Sequence, residues 1–155
     1  MNQSINEKVK SKINEDLSPA RNLTGLHLKI VASIAIIWSL FQLWYASPFP
    51  FMFNFGMFKG LPARAIHLGF ALTLAFLIYP ISKGKKISIF DVIISFVGAF
   101  SCLYIYFFYD QLVDRGGVLL NISINENYNL PIELIIGSCG ILILLEATRR
   151  AIGLP

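Results

Sequence analysis

Residues Ile30 to Phe58, IVASIAIIWSLFQLWYASPFPFMFNFGMF, contain no charged side chain. Three more long apolar blocks follow before Pro155. The whole chain of 155 residues is 55% apolar and 14% charged, where a soluble domain is usually ~45–50% apolar and ~25% charged. A water-soluble chain of this size could not hide that much apolar surface, and a chain embedded in lipid does not have to. The blocks are too long for barrel strands, which need only ~9–11 residues and alternate in polarity. The sequence therefore predicts an all-α integral membrane protein.

Four transmembrane helices fit the blocks, over about 28–46, 63–81, 89–109 and 130–147, and together make a membrane domain over 26–155. Each is close to the ~20 residues that a helix needs to cross the hydrocarbon core. Residues 1–25 form a polar N-terminal segment. There Ile5, Val9, Ile13 and Leu17 recur every four residues, with Lys8, Lys10 and Lys12 between them. That stripe fits either a basic amphipathic helix on the membrane surface or a disordered tail. Ser18-Pro19 has the chemistry of a helix start. A polar start followed by a block too long for a signal h-region predicts that the first span inserts as an uncleaved anchor.

Counting bases orients the spans. Lys8, Lys10, Lys12, Arg21, Lys29, Lys83, Lys85, Lys86, Arg149 and Arg150 fall on one side, against Lys59, Arg64 and Arg115 on the other. Cytoplasmic loops carry the excess of Lys and Arg, so both termini are expected in the cytoplasm. The net charge of +4 is thus spent on topology, and no nucleic-acid partner is expected. On the other side, 47–61 carries Phe49, Phe51, Phe53, Phe55 and Phe58 among prolines and glycines. Alternating Phe cannot form one face of a helix, so an extended or broken segment at the outer interface is expected. The loop from Asp110 to Pro131 is polar.

Candidate chemistry is sparse. His27 and His67 fall at opposite ends of spans 1 and 2, separated by most of the ~30 Å core, which opposes a shared haem. His67 reads instead as a hydrogen-bonding group between helices or at the outer interface. Cys102 lies about 17 Å along its outward-going helix and Cys139 about 10 Å along an inward-going one. Their depths nearly match, but no His or carboxylate lies there to complete a metal site. No ionisable residue falls near mid-span, and span 2 is unbroken, so neither a transport pathway nor a broken-helix binding site is expected. Glu146 has i, i+3 and i, i+4 spacing to Arg149 and Arg150, which favours local pairing. Gly98 with Cys102, Ala71 with Ala75, Ala35 with Ser39, and the Gly137 to Gly140 patch are small residues that let helix backbones approach, within the chain or on a partner. No catalytic, cofactor-binding or metal-ligating residue is assigned, and the chain is not read as an enzyme.

Two stretches suggest a relationship. Leu61-Pro-Ala-Arg-Ala-Ile-His-Leu-Gly-Phe-Ala-Leu72, continued by Ala75-Phe-Leu-Ile-Tyr-Pro80, resembles the second span of the fused permeases of TRAP (tripartite ATP-independent periplasmic) transporters of the TAXI type. Leu144-Leu-Glu-Ala-Thr-Arg-Arg150 with Gly153-Leu-Pro155 resembles that family's next landmark. Phe41-Gln-Leu-Trp44 and Tyr109-Asp-Gln-Leu112 fit more loosely. The resemblance runs in order from about Leu26 to Pro155.

What it implies is an accessory, scaffolding role. In that family a binding protein outside the membrane delivers a small organic anion, and a large membrane domain imports it with sodium. A small four-span domain braces the large one. The substrate and sodium ligands belong to the large domain, so none is carried onto this chain, which alone is expected not to transport. The expected partners are the large permease domain or subunit, the extracytoplasmic binding protein and the bilayer of a bacterial inner membrane. The alternative is a stand-alone four-helix membrane protein, such as a redox anchor or a small membrane enzyme.

Overall fold

The computed structural model describes residues 20–21, 23–81, 87–125 and 128–152. The Ile5 to Leu17 stripe, Ser18-Pro19, the Lys83, Lys85 and Lys86 loop and Gly153 to Pro155 lie outside the described residues. Four long helices carry the fold: α1 (Gly25–Ala46), α3 (Gly60–Ile78), α4 (Ile89–Asp114) and α5 (Ile132–Ile152). A short helix α2 (Phe49–Phe53) follows α1, and a hairpin of β1 (Asn121–Asn125) and β2 (Tyr128–Pro131) precedes α5.

Local chemistry sets the helix ends. Ser88 caps α4 by accepting from the Phe90 amide at 3.3 Å. Tyr79 leaves α3 in extended conformation, as the residue before Pro80 must to avoid the proline ring. Within the helices, hydroxyls turn back on the chain. Ser39, Thr73, Ser101 and Thr148 each donate to the carbonyl four residues earlier, at 2.8 to 3.0 Å. Each polar group is thereby satisfied within its own helix, as a hydrocarbon solvent demands.

α1, α3 and α4 are long and apolar enough to cross a membrane, and they point to a multi-pass membrane protein. α5 has the length, 21 residues, but Glu133, Glu146, Arg149 and Arg150 crowd its two ends. α4 overruns its apolar block, continuing from Tyr109 to Asp114, while α3 ends at Ile78, short of residue 81. Apolar residues mark where a helix meets lipid, while its backbone bonds carry on into the polar zone.

α3 is the central element and packs against α1, α4 and α5. Its two faces divide the core. Leu72 and Phe76 meet Cys102 of α4 and Ala147 of α5, with Ile94 and Ile143 around them. Leu74 and Leu77 meet Val31 of α1, flanked by Ile34 and Trp38. Small residues make these approaches possible. A Cβ added at Gly69 would lie 3.4 Å from the Cys102 Cβ, and one at Gly140 3.4 Å from the Ser101 Cβ. At Gly98 it would lie 3.0 Å from Ile143 Cγ2. Gly98 therefore serves packing inside the chain, whereas Gly137 faces open space. Large apolar side chains such as Phe96, Phe100 and Phe107 of α4 and Ile141, Leu142 and Leu145 of α5 are exposed outward.

Two connections differ from expectation. The Phe-rich segment contains a helical turn, because Phe49 and Phe53, four residues apart, both reach Trp44 with ring centroids at 6.3 Å. The turn ends at Asn54, which is left-handed, and at Gly56, where φ is +65° and a Cβ would lie 2.9 Å from the Trp44 indole nitrogen. The fold is also not purely helical. Asn121 pairs with Pro131 and Ile122 with Leu130 in an antiparallel hairpin, where the alternating Asn-Ile-Ser-Ile-Asn run supplies a strand's period.

Gly98→Val should destabilise the folded protein by about 1–3 kcal/mol through overpacking against Ile143 and Leu72. Gly137→Val, with the same helix propensity change but open space, should stay within about 0.5 kcal/mol. Thermal unfolding of both variants in detergent compares them directly.

Candidate functional site

Ionisable groups collect at the two ends of the bundle. At the end where α3 stops and α4 starts, Asp91 sits in the first turn of α4 and is fully buried. Its Oδ2 accepts from an Arg21 terminal nitrogen at 2.7 Å and its Oδ1 from an Arg150 terminal nitrogen at 2.8 Å. Arg21 lies just ahead of α1 and also closes the end of α3. Its main-chain N–H donates to the Ile78 carbonyl at 2.8 Å and its guanidinium to the Leu77 carbonyl at 3.4 Å. These are carbonyls that a helix C-terminus leaves without intrahelical partners.

Arg150 comes from the last turn of α5. It donates to the Tyr79 carbonyl at 3.4 Å and to Glu146 at 2.7 Å, and its guanidinium carbon lies 4.9 Å from the Phe76 ring centroid. Arg149 completes the group, donating to Glu146 at 2.8 and 3.0 Å. The pairing of Glu146 with both arginines is the one its spacing predicts. Arg21 Nε and Arg150 Nη2 are buried without a hydrogen-bond partner among the described residues. Both Asp91 oxygens are engaged by permanently protonated groups, so the arrangement binds elements together and has no free base to offer.

At the opposite end, Glu133 in the first turn of α5 is buried. It accepts from the Tyr104 hydroxyl at 3.0 Å, from the Leu120 amide at 2.7 Å and from both terminal nitrogens of Arg115. The Glu133 carboxylate raises the pKa of Arg115. Lys59 pairs with Asp110 on the surface, and that hydrogen bond pushes the ammonium above the usual lysine range.

Between these ends, in the half of the bundle nearer Glu133, His67 links α3 to α1. The Trp38 indole donates to its Nδ1 at 3.4 Å and the Gln42 amide also reaches that nitrogen. An indole N–H can only donate, so in that contact Nδ1 is the acceptor. Beside it, Phe41, Gln42, Tyr45, Ala63, Arg64 and His67 line a cleft of about 210 Å³. Cys102 is buried and Cys139 partly so, both as free thiols. His27 lies in the first turn of α1, at the other end of the bundle from His67. Among the described residues no group of three or more His, Cys, Asp or Glu could hold a metal ion.

Sequence reasoning placed Arg21, Asp91 and Arg150 near span ends without joining them. The available signal was an acid opening an otherwise apolar helix, on the side where the bases gather. Comparison with protein-family models, with curated proteins and with solved structures found no match to the chain.

Asp91→Asn removes the carboxylate that joins Arg21 to Arg150. It should cost about 3–5 kcal/mol, since breaking a buried pair strands the other charge. Arg149→Gln, at a surface pair, should cost less than about 1 kcal/mol. Unfolding of the two variants in detergent, scored against the parent chain, gives the comparison.

Proposed function

We propose that this chain is a non-catalytic accessory unit of a TRAP-type secondary transporter in a bacterial inner membrane, with α5 as its fourth span and both termini in the cytoplasm. The observation that carries the reading is where the two family-like stretches lie. The first stretch spans nearly all of α3, the helix against which the other three long helices pack, and its Tyr79 and Pro80 end that helix. Leu144 to Arg150 closes the bundle onto the end of that same helix, with Arg150 on Phe76, on the Tyr79 carbonyl and on Asp91. Residues that resemble a family signature thus serve the integrity of the four-helix unit, as suits a brace.

Physical arguments support the remaining parts. α5 is about 32 Å long at 1.5 Å per residue, enough for a ~30 Å core. Its end charges have partners: Glu133 with Arg115, Glu146 with Arg149 and Arg150, and Arg150 with Asp91. Neutralised ends are compatible with a span. The excess of bases at the Asp91 end favours the cytoplasm there. The exposed apolar faces of α4 and α5 would then meet lipid or the large permease domain. The α2 turn and the hairpin would face the extracytoplasmic binding protein. Sodium-coupled import of a small organic anion would be the work of the large domain.

Two experiments test this reading. Purification in mild detergent from the host membrane should recover a large polytopic partner, and recovery of the chain alone would count against an accessory role. For topology, single cysteines in a Cys102→Ala, Cys139→Ala background should react with an impermeant maleimide from outside at Lys59→Cys and Val118→Cys. Thr24→Cys and Ala151→Cys should react only after the membrane is opened. The reverse pattern would invert the topology.

A further inference from the structure

Three Lys or Arg residues stand in the half of the bundle where α1 ends and α3 begins. Lys59 is paired with Asp110 and Arg115 with Glu133. The third, Arg64, makes no ion pair among the described residues. It is exposed, in the second turn of α3, and forms part of the lining of the cleft between α1 and α3. A guanidinium near a helix end can snorkel to the headgroup level, where an anion can meet it. Arg64 lies about 6 Å along the axis from Gly60, and the leaflet supplies anions at the headgroup level.

The rest of the lining suits a phosphate with hydrocarbon attached. Two further lining groups can donate. One is the Tyr45 hydroxyl, and the other is Nε2–H of His67, since Nδ1 already accepts from Trp38. Phe41 and Ala63 add apolar surface for the part of a lipid below its phosphate. A guanidinium presents paired N–H groups that match two phosphate oxygens. We infer that this cleft binds the phosphate of a phospholipid headgroup, with Arg64 as the charged anchor and Tyr45 and His67 as further donors. The shared chemistry is a phosphate anion, and the apolar lining favours the lipid as its source over phosphate from solution. The inference needs α1 and α3 in a bilayer and holds whether or not the chain serves a transporter.

Native mass spectrometry of the full chain in mild detergent tests it, with phosphatidylglycerol and inorganic phosphate as separate probes. The parent chain should retain one phosphatidylglycerol. Arg64→Gln should weaken that binding roughly tenfold or more, the loss expected for a charge-assisted contact. Lys59→Gln removes the same charge nearby from a surface pair and should change binding less than about twofold. Tyr45→Phe should weaken it by a smaller factor than Arg64→Gln, and inorganic phosphate should not displace the lipid. Unchanged lipid binding by Arg64→Gln would overturn the site. An equal loss in Lys59→Gln would replace it with diffuse charge attraction, and displacement by inorganic phosphate would make it a solution-anion site. Arg64 is exposed, so its replacement leaves the packed core intact, and an unchanged thermal midpoint checks this.

Discussion

One carboxylate between two guanidiniums holds one end of this bundle together. Asp91 opens α4, Arg21 precedes α1 and Arg150 closes α5, while both arginines also reach carbonyls at the end of α3. No pair of these elements is adjacent in sequence except α3 and α4. In lipid the hydrophobic effect does not drive helices together, so association rests on close packing and on polar contacts. Here the close packing comes from Gly69, Gly98 and Gly140, and the ion pairs are gathered at the ends, with the Trp38 and Gln42 contacts to His67 between them. A buried ion pair is weak evidence for net stability but strongly penalises the loss of one member. The cluster therefore selects one arrangement of helices more than it adds stability to it.

The opposite end follows the same logic with a different device. Glu133 is enclosed by Arg115, Tyr104 and the Leu120 amide, so the hairpin is tied to the top of α5. A two-stranded hairpin is marginal by itself in water. This one borrows its position from a carboxylate at a helix N-terminus, where the helix dipole favours negative charge.

Much of the architecture was legible because lipid imposes a simple rule. Long uncharged runs such as Ile30 to Phe58 have few alternatives to a helix, and three of the four predicted spans have the length and apolarity to cross a membrane. The pairing of Glu146 with Arg149 and Arg150 was readable from spacing alone. His67 was read as a hydrogen-bonding group either between helices or at the outer interface, and its contacts are with Trp38 and Gln42 of α1. What could not be read was whatever depends on two distant segments meeting. Arg21 and Asp91 are 70 positions apart, and nothing local marks them as partners. Gly98 read equally well as an inward or an outward contact, and only the positions of Leu72 and Ile143 decide it. The Phe49–Phe53 turn was missed because alternation was weighed over the whole segment, while a single i, i+4 pair on Trp44 was enough to bend it.

The Asp91 cluster also carries a temporal order. A ribosome supplies Arg21 first, Asp91 next and Arg150 last. The carboxylate therefore enters the membrane zone with one counter-charge already made and the second still to come. Only when the final helix has emerged can both arginines engage it. A nascent chain that stalls before α5 is complete holds a half-neutralised acid at the edge of the bilayer, chemically distinguishable from the finished protein.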